Sequence, residues 1–387
     1  MCTRIAFTKI ALSIAAVTVP TVLVGPPAQA VAARAVPGST ITLPLAGVEA
    51  EPDVGAPRQG RTAVLTGPRS TGAYSLLGVT WADPAAGARI AVHVRTHTGG
   101  VWSGWHELQA HGDGTGQPEG TTRRGGTEPF WAGSSDGVQV RVGVLEGEAP
   151  ADLRAELVDP GDSIADAGLS RTPRTDPRAD RGAAVAGLAA KPTIRTRKDW
   201  GADESIRDRN FKYTGTVKAV FVHHTADGNA YSCDESAKVI RSIYRYHVKT
   251  NGWADIGYNF VVDKCGTVFE GRAGGVDKAV LGAHTLGFNT DTTGIAALGT
   301  YTSTVPNDYL LTGIEKLIAW KLDPYGRDPK GKVTLTSSDS GSRYPRGTKH
   351  AFDVISGHRD GFNTECPGQK MYDKLREIRN EVTWRMG

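Results

Sequence analysis

Two rhythms of apolar and polar residues divide the chain. From Arg61 to about Pro160 the apolar positions come in short runs. Val138-Gln139-Val140-Arg141-Val142 alternates strictly, which puts its valines on one face of an extended strand and its polar residues on the other. Leu76 to Trp81, Arg89 to Thr96, Val101 to Leu108, Phe130 to Ala132 and Val138 to Val144 are strand candidates, and Gly99-Gly100 suits a hairpin turn. Short strands separated by turn signals predict a small β-sandwich or barrel over 61–160. Gly133-Ser134-Ser135-Asp136-Gly137 matches the G-x-S-x-G pattern of serine hydrolases, which works only on a strand-to-helix turn. An alternating strand follows here, so a hairpin loop is expected instead.

From residue 192 to 387 strands and helices interleave. Val217 to His224 is apolar and β-branched, as suits a buried strand that ends on two histidines. A helix follows, with Asp234 as its N-cap and Val239, Ile240, Ile243 and Tyr244 on one face. Gly257 to Val262 and Thr267 to Glu270 read as a hairpin around Asp263-Lys264-Cys265-Gly266, and Gly294 to Gly299 as a buried strand. Leu310, Ile314, Leu317, Ile318 and Lys321 mark a second helix, and Met371, Leu375, Ile378 and Val382 a last one. The pattern predicts an α/β domain, a central sheet covered by helices, behind a separate small all-β domain.

Between the two, residues 161–191 are charged, Pro-broken and then bland, and are expected to be a linker exposed to proteases. Residues 31–60, rich in Ala, Pro, Gly and Val, have no sustained period and are expected to form a loosely ordered arm. Residues 1–30 read as a secretory signal: Arg4 and Lys9, an apolar stretch from Ile10 to Val24 interrupted by Pro20, then Ala28-Gln29-Ala30 as a cleavage site. No later stretch is apolar and long enough to span a bilayer, so a mature protein outside the cytoplasm, with no membrane span, is expected.

Composition sharpens this picture in two places. The formal charge of +4 is modest and partly resides in the signal, so nothing demands a nucleic-acid partner. Trp81, Trp102, Trp105 and Trp131 are half of the eight tryptophans. They could form a platform for sugar rings, but filling a small β core is the expected role.

Once the signal takes Cys2 away, Cys233, Cys265 and Cys366 remain, an odd number in an oxidising compartment. The economical solution pairs Cys233 with Cys265 and leaves Cys366 for a metal; pairing Cys366 and freeing another thiol is the alternative. His358 and Cys366 lie eight positions apart in a loop marked by Gly357 and Pro367, and His223-His224 closes the upstream strand. A hydrolytic zinc site needs three protein ligands and an open position. Two neutral imidazoles and one thiolate leave such a site with one net positive charge, which acidifies water and polarises a carbonyl.

The segment from about Ile194 to Val382 resembles the peptidoglycan recognition protein family, which shares its fold with phage-type N-acetylmuramoyl-L-alanine amidases. The likeness runs through Arg197-Lys198-Asp199-Trp200-Gly201-Ala202, Val222-His223-His224-Thr225-Ala226, Tyr246-His247 and Gly252-Trp253-Ala254-Asp255-Ile256-Gly257-Tyr258-Asn259-Phe260. Phe269-Glu270-Gly271-Arg272, Gly282-Ala283-His284-Thr285, Asn289, Gly294-Ile295, Gly357-His358-Arg359-Asp360 and Thr364-Glu365-Cys366-Pro367-Gly368 follow in order. The resemblance covers about half the chain. It implies a central mixed β-sheet flanked by helices and one Zn2+ held by His223, His358 and Cys366. Family members that only recognise peptidoglycan typically lack the ligand cysteine.

The resemblance also implies zinc-assisted hydrolysis of the amide between the muramic acid lactyl group and L-alanine, with Tyr258 as active-site phenol. Thr364 stands where phage enzymes carry lysine and is a further catalytic candidate. His284 and Asn289 are expected to contact the peptide stem, and His247 to line or brace the groove. His224 should point away from the metal, and Arg359 and Asp360 should brace its loop. The expected Cys233–Cys265 disulfide would rigidify the wall of the site. A monomer acting on peptidoglycan or muropeptides, secreted and cell-wall associated, is expected. The rival readings are a non-catalytic peptidoglycan-binding protein and a peptidase that cuts within the stem.

Overall fold

The alternating runs of the first half form a ten-stranded assembly whose ladders are antiparallel. The structure, a computed structural model, describes Met1 and residues 36–49, 57–83, 86, 89–111, 124–166 and 189–387. The expected secretory signal, Cys2 and most of the linker lie outside the described residues.

The strands are β1 (Ser39–Pro44), β2 (Arg61–Leu65), β3 (Arg69–Trp81), β4 (Ile90–Thr98), β5 (Val101–Trp102), β6 (His106–Leu108), β7 (Ala110–His111), β8 (Gly125–Thr127), β9 (Phe130–Val144) and β10 (Arg154–Asp159). The order β1-β10-β3-β9-β4-β5 forms the main path. Gly99 and Gly100 have φ of 57° and 85°, so the two-residue turn between β4 and β5 has the positive dihedrals that glycine accepts.

Two expectations fail here. Residues 39–44 are not part of a loose arm: β1 pairs with β10 along its whole length, and Ile41 and Leu43 pack against the core. Gly133 to Gly137 is not a hairpin loop but the bulged middle of β9. Gly133 at φ 68° bends the strand, and the Tyr74 phenol, donating to the Gly137 carbonyl at 2.8 Å, pins the bend to β3. The tryptophans split by place. Trp81 and Trp131 are buried in cores, whereas the half-buried rings of Trp102 and Trp105 flank the Arg95 guanidinium, 5.4 and 5.3 Å from their centroids.

The second sheet contains β11 (Ile194–Arg195), β12 (Ala219–His224), β13 (Phe260–Val262), β14 (Val268–Glu270), β15 (Thr292–Ala297) and β18 (Ile355–Gly357), in the order β11-β14-β13-β15-β12-β18. It is mixed: β13 and β14 form the expected antiparallel hairpin, and the other ladders are parallel. The β16 (Lys332–Thr336) and β17 (Lys349–Asp353) hairpin stands apart from it. Helices α2 (Asp308–Leu322) and α3 (Leu375–Arg385) cover one face through Leu310, Ile314, Leu317, Leu375, Ile378 and Val382. Helix α1 (Ser236–Arg245) covers the other with Val239, Ile240, Ile243 and Tyr244. Its cap differs from expectation. A 3-10 turn, Cys233–Glu235, precedes it, so the cap moves upstream to Ser232, whose N–H donates to Glu235 Oε2 at 2.7 Å.

The β domain stacks on the outer side of α1, and the two domains share a buried core. Leu76, Trp131 and Val158 from the β domain belong to the same apolar cluster as Trp200, Ile240, Ile243 and Tyr258. Arg241 pairs with Asp166 through two contacts of 2.8 Å, and the Tyr246 hydroxyl donates to the Thr127 carbonyl at 3.1 Å. Gly78 makes this contact possible: a Cβ there would stand 2.3 Å from the Tyr246 hydroxyl oxygen. Cys233 and Cys265 form a disulfide between the start of α1 and the β13–β14 turn, and Cys366 is free and buried.

Candidate metal centre

The sheet topology converts two distant sequence positions into neighbours. Strand β12 ends at His224 and β18 at Gly357, and they run parallel in register, Val222 opposite Gly357. His223 and His358 therefore emerge together at the carboxyl edge of the sheet, where open α/β sheets carry their sites. The chain then turns through His358–Gly361, a short helical segment. Asp360 accepts the Gly357 amide at 2.8 Å and the Tyr372 hydroxyl at 2.7 Å, while the Arg359 amide donates to the Cys366 carbonyl at 2.9 Å. Both residues brace the loop, as expected.

This loop returns Cys366 to the two histidines. One ligand atom from each of His223, His358 and Cys366 lies within 4.8 Å of the other two. His223 Nδ1 and Cys366 Sγ are 3.7 Å apart, and the His223 and His358 rings are 4.4 Å apart between centroids. Ligands around one tetrahedral zinc, at bond lengths near 2.0–2.3 Å, stand about 3.5 Å from each other. The set thus fits a zinc-sized cation in spacing and in donor chemistry. Burial, followed by neighbouring histidines, holds the His223 imidazole well below its ordinary pKa, in the neutral form that a metal needs. Burial pushes the Cys366 thiol up, but the His224 amide already donates to its sulfur at 3.3 Å. A bound cation would favour the thiolate outright.

A second layer orients His223. With Nδ1 toward the metal position, its Nε2 meets His284 Nδ1 at 3.2 Å. Burial pushes the pKa of His284 down to about 3, so its ring is neutral, and with His223 Nδ1 on a metal the Nε2–H of His223 would donate to His284 Nδ1. Asn289 fixes the loop by accepting the His284 and Thr285 amides at 2.8 Å each. Gly294 leaves room for the ring: a Cβ there would sit 2.3 Å from His284 Cγ. In this arrangement His284 and Asn289, expected to contact the peptide stem, are each 1 % exposed and engaged with protein partners.

His247 is also buried and accepts the Gly257 amide at 3.2 Å, with its ring 4.4 Å from Trp253. It lies in a π-helical turn, Tyr246–Thr250, that continues α1 and brings its ring to 5.7 Å from Tyr258. His224 points away and accepts the Tyr301 amide at 3.2 Å, as the strand alternation requires.

Tyr258 stands over the set, its ring 5.4 Å from His223, and burial raises its phenol pKa well above the ordinary value. Thr364 is half-buried, and its hydroxyl accepts the Cys366 amide at 3.1 Å. Two acidic residues with no sequence signal also belong to this neighbourhood. Asp227 is fully buried, accepts the Thr225 hydroxyl at 2.6 Å and is raised to about 7 by burial. Glu128 comes from the β domain, and its charge bears on both Tyr258 and Cys366.

Comparison with known proteins agrees with this division of the chain. Residues 213–369 match the N-acetylmuramoyl-L-alanine amidase family, and residues 27–162 match a family described as Rv3811 N-terminal galactose-binding domain-like. The chain is 30% identical over 190 residues to peptidoglycan-recognition protein SC2 of Drosophila simulans, covering 49% of this chain and 87% of that protein. It is 33% identical over 187 residues to the human N-acetylmuramoyl-L-alanine amidase, covering 48% of this chain but only 28% of the human protein. Among solved structures, wild-type Drosophila PGRP-LB aligns with 26% identity, 47% coverage of this chain, 92% of that one and a TM-score of 0.37.

Proposed function

Because this chain belongs to the peptidoglycan-recognition protein family, we propose that it is a secreted zinc-dependent N-acetylmuramoyl-L-alanine amidase acting on peptidoglycan or muropeptides. The observation that carries this reading is a buried thiol, Cys366, left free beside His223 and His358 while Cys233 and Cys265 pair. Relatives that only bind the wall typically lack that cysteine, which weighs against a purely recognising role. Among the described residues no helix is long and apolar enough to cross a membrane.

Bound zinc would supply a Lewis acid that polarises the scissile carbonyl and acidifies water. His223, His358 and Cys366 would hold it, and His284 would accept the second ring N–H of His223 and fix its orientation. The phenol of Tyr258, kept protonated by burial, would donate to the oxyanion that forms as the amide is attacked. Thr364 supports the ligand loop through the Cys366 amide. His247 and Asn289 brace the walls through backbone amides.

The reading is tested on purified peptidoglycan with mass spectrometry of the products. An amidase releases intact stem peptides with free L-alanine N-termini and leaves intact glycan strands. Fragments cut within the stem would make the protein a peptidase, and no release from zinc-loaded protein would make it a recognition protein. A second prediction isolates the outer layer. His284→Ala lowers zinc affinity about 10–100-fold, measured by competition with a chromophoric chelator. Unchanged affinity would remove His284 from the metal's support.

A further inference from the structure

The β domain carries a cluster of polar and aromatic side chains that the metal centre does not use. In β4 and β9, Ile90, Val92, Val94, Val138, Val140 and Val142 fill the core. The residues between them, His93, Arg95, Gln139 and Arg141, therefore share the opposite face, and His97 continues it. Cross-strand register agrees. His93 lies opposite Arg141 and Glu107, Arg95 opposite Gln139, and His97 opposite both Gly137 and Trp102.

Two tryptophans frame this face. Ser103, between them, is tied to Thr96 in both directions. Its amide donates to the Thr96 carbonyl at 2.8 Å, and its hydroxyl accepts the Thr96 amide at 3.0 Å. The Trp102 ring lies across Gly137, where a Cβ would stand 3.5 Å from Cη2. The rings of Trp102 and Trp105 flank Arg95 and stay half-buried, so each keeps some open surface.

The polar groups are held in place by a second layer. Arg95 Nε donates to Gln139 Oε1 at 2.6 Å, and Gln139, 3 % exposed, donates in turn to the Thr66 carbonyl at 2.7 Å. Asp136 accepts from His97 Nδ1 at 2.5 Å, which leaves Nε2 as the nitrogen open to a ligand. His93 is only 6 % exposed, and its Nδ1 has no partner among the described residues; neither has Trp105 Nε1. Supports of this kind preorganise side chains for binding. A buried nitrogen without a partner carries a cost that a bound group can remove.

Charge selects the occupant. Arg95 and Arg141 are balanced by Glu107 and Asp136, so the face suits a neutral polymer better than an anionic one. Tryptophan rings offer flat apolar surfaces to the C–H faces of sugars, and imidazole and guanidinium suit hydroxyls and N-acetyl amides. We propose that this cluster is a glycan-binding site that grips the neutral N-acetylated sugar backbone of the cell wall through Trp102, Trp105, Arg95 and His97. The choice of polymer rests on the peptidoglycan reading. The shared core around Trp131 fastens the β domain to the domain of the metal centre, so one molecule would hold the strand and cut its stems.

The test measures binding of a stem-free N-acetylglucosamine hexamer to zinc-loaded, full-length protein by calorimetry. Trp102→Ala and His97→Gln should each weaken it roughly 10–30-fold, and Trp102→Tyr should recover part of the loss. Zinc content, melting temperature and kcat on a monomeric muropeptide should match the parent, while co-sedimentation with purified wall falls. A parent that does not bind the hexamer overturns the proposal, as do variants that bind it like the parent. Preference of the parent for a galactose polymer or a phosphodiester wall polymer overturns it as well. A parent that binds the hexamer but releases no stems from wall supports this site and removes the amidase reading alone.

Discussion

Cys366→Ser should lose metal-dependent release of stem peptides altogether while remaining folded. The thiol is 2 % exposed and 3.7 Å from His223 Nδ1, so serine fits its space but not its chemistry. A serine hydroxyl keeps its proton near neutral pH and is a poor partner for zinc, whereas a coordinating thiol is deprotonated. The loss in metal affinity should exceed the ~10–100-fold typical of outer-layer changes. A chelator acting on the parent should reproduce the defect. It should also lower the melting temperature, because zinc present at 1,000 times its Kd stabilises the folded state by about 4 kcal/mol. Metal analysis, product release and a thermal melt read these outcomes together. Turnover that survives in the variant, or in chelated parent, would rule out the zinc reading.

Tyr258→Phe should have the next largest effect and a different signature. The ring packs 5.4 Å from His223 and 5.7 Å from His247, and phenylalanine keeps those contacts. Only the hydroxyl disappears. Removing one oxyanion donor lowers kcat by about 10²–10³-fold, and zinc content and KM should stay near the parent's because the donor acts as charge develops. Burial holds the phenol protonated well beyond its ordinary range, so the deficit should persist across neutral pH. A variant whose KM rises at constant kcat would make Tyr258 a binding residue.

Much of this was legible in the residues. Strict alternation marked the β domain, and 3.6-residue spacing marked α1, α2 and α3, because each buries one face. The odd cysteine count anticipated the Cys233–Cys265 pair. Local errors have local causes. Gly133 bends a strand where a turn was expected, and a 3-10 turn moves the cap of α1 from Asp234 to Ser232. The β16–β17 hairpin has a short alternation, Lys332-Val333-Thr334-Leu335-Thr336, too brief to stand out. His284 and Asn289 carry the same motif whether they face a ligand or a neighbouring histidine, so the residues alone do not separate the two roles.

The sequence by itself, through its resemblance to the peptidoglycan recognition protein family, offered His223, His358 and Cys366 as candidates for a metal, because residue type sets which side chains can be ligands. It also determined that two differently patterned halves would build two kinds of sheet. Tertiary structure decided what stands around the set. Parallel register between β12 and β18 brings His223 beside His358, a buried loop puts His284 behind His223, and the shared core joins Trp131 of the β domain to Tyr258. Such contacts join segments as far apart as Thr127 and Tyr246, 119 positions along the chain. Periodicity reports only which face of a single element is buried. It contains nothing about which other element will cover that face.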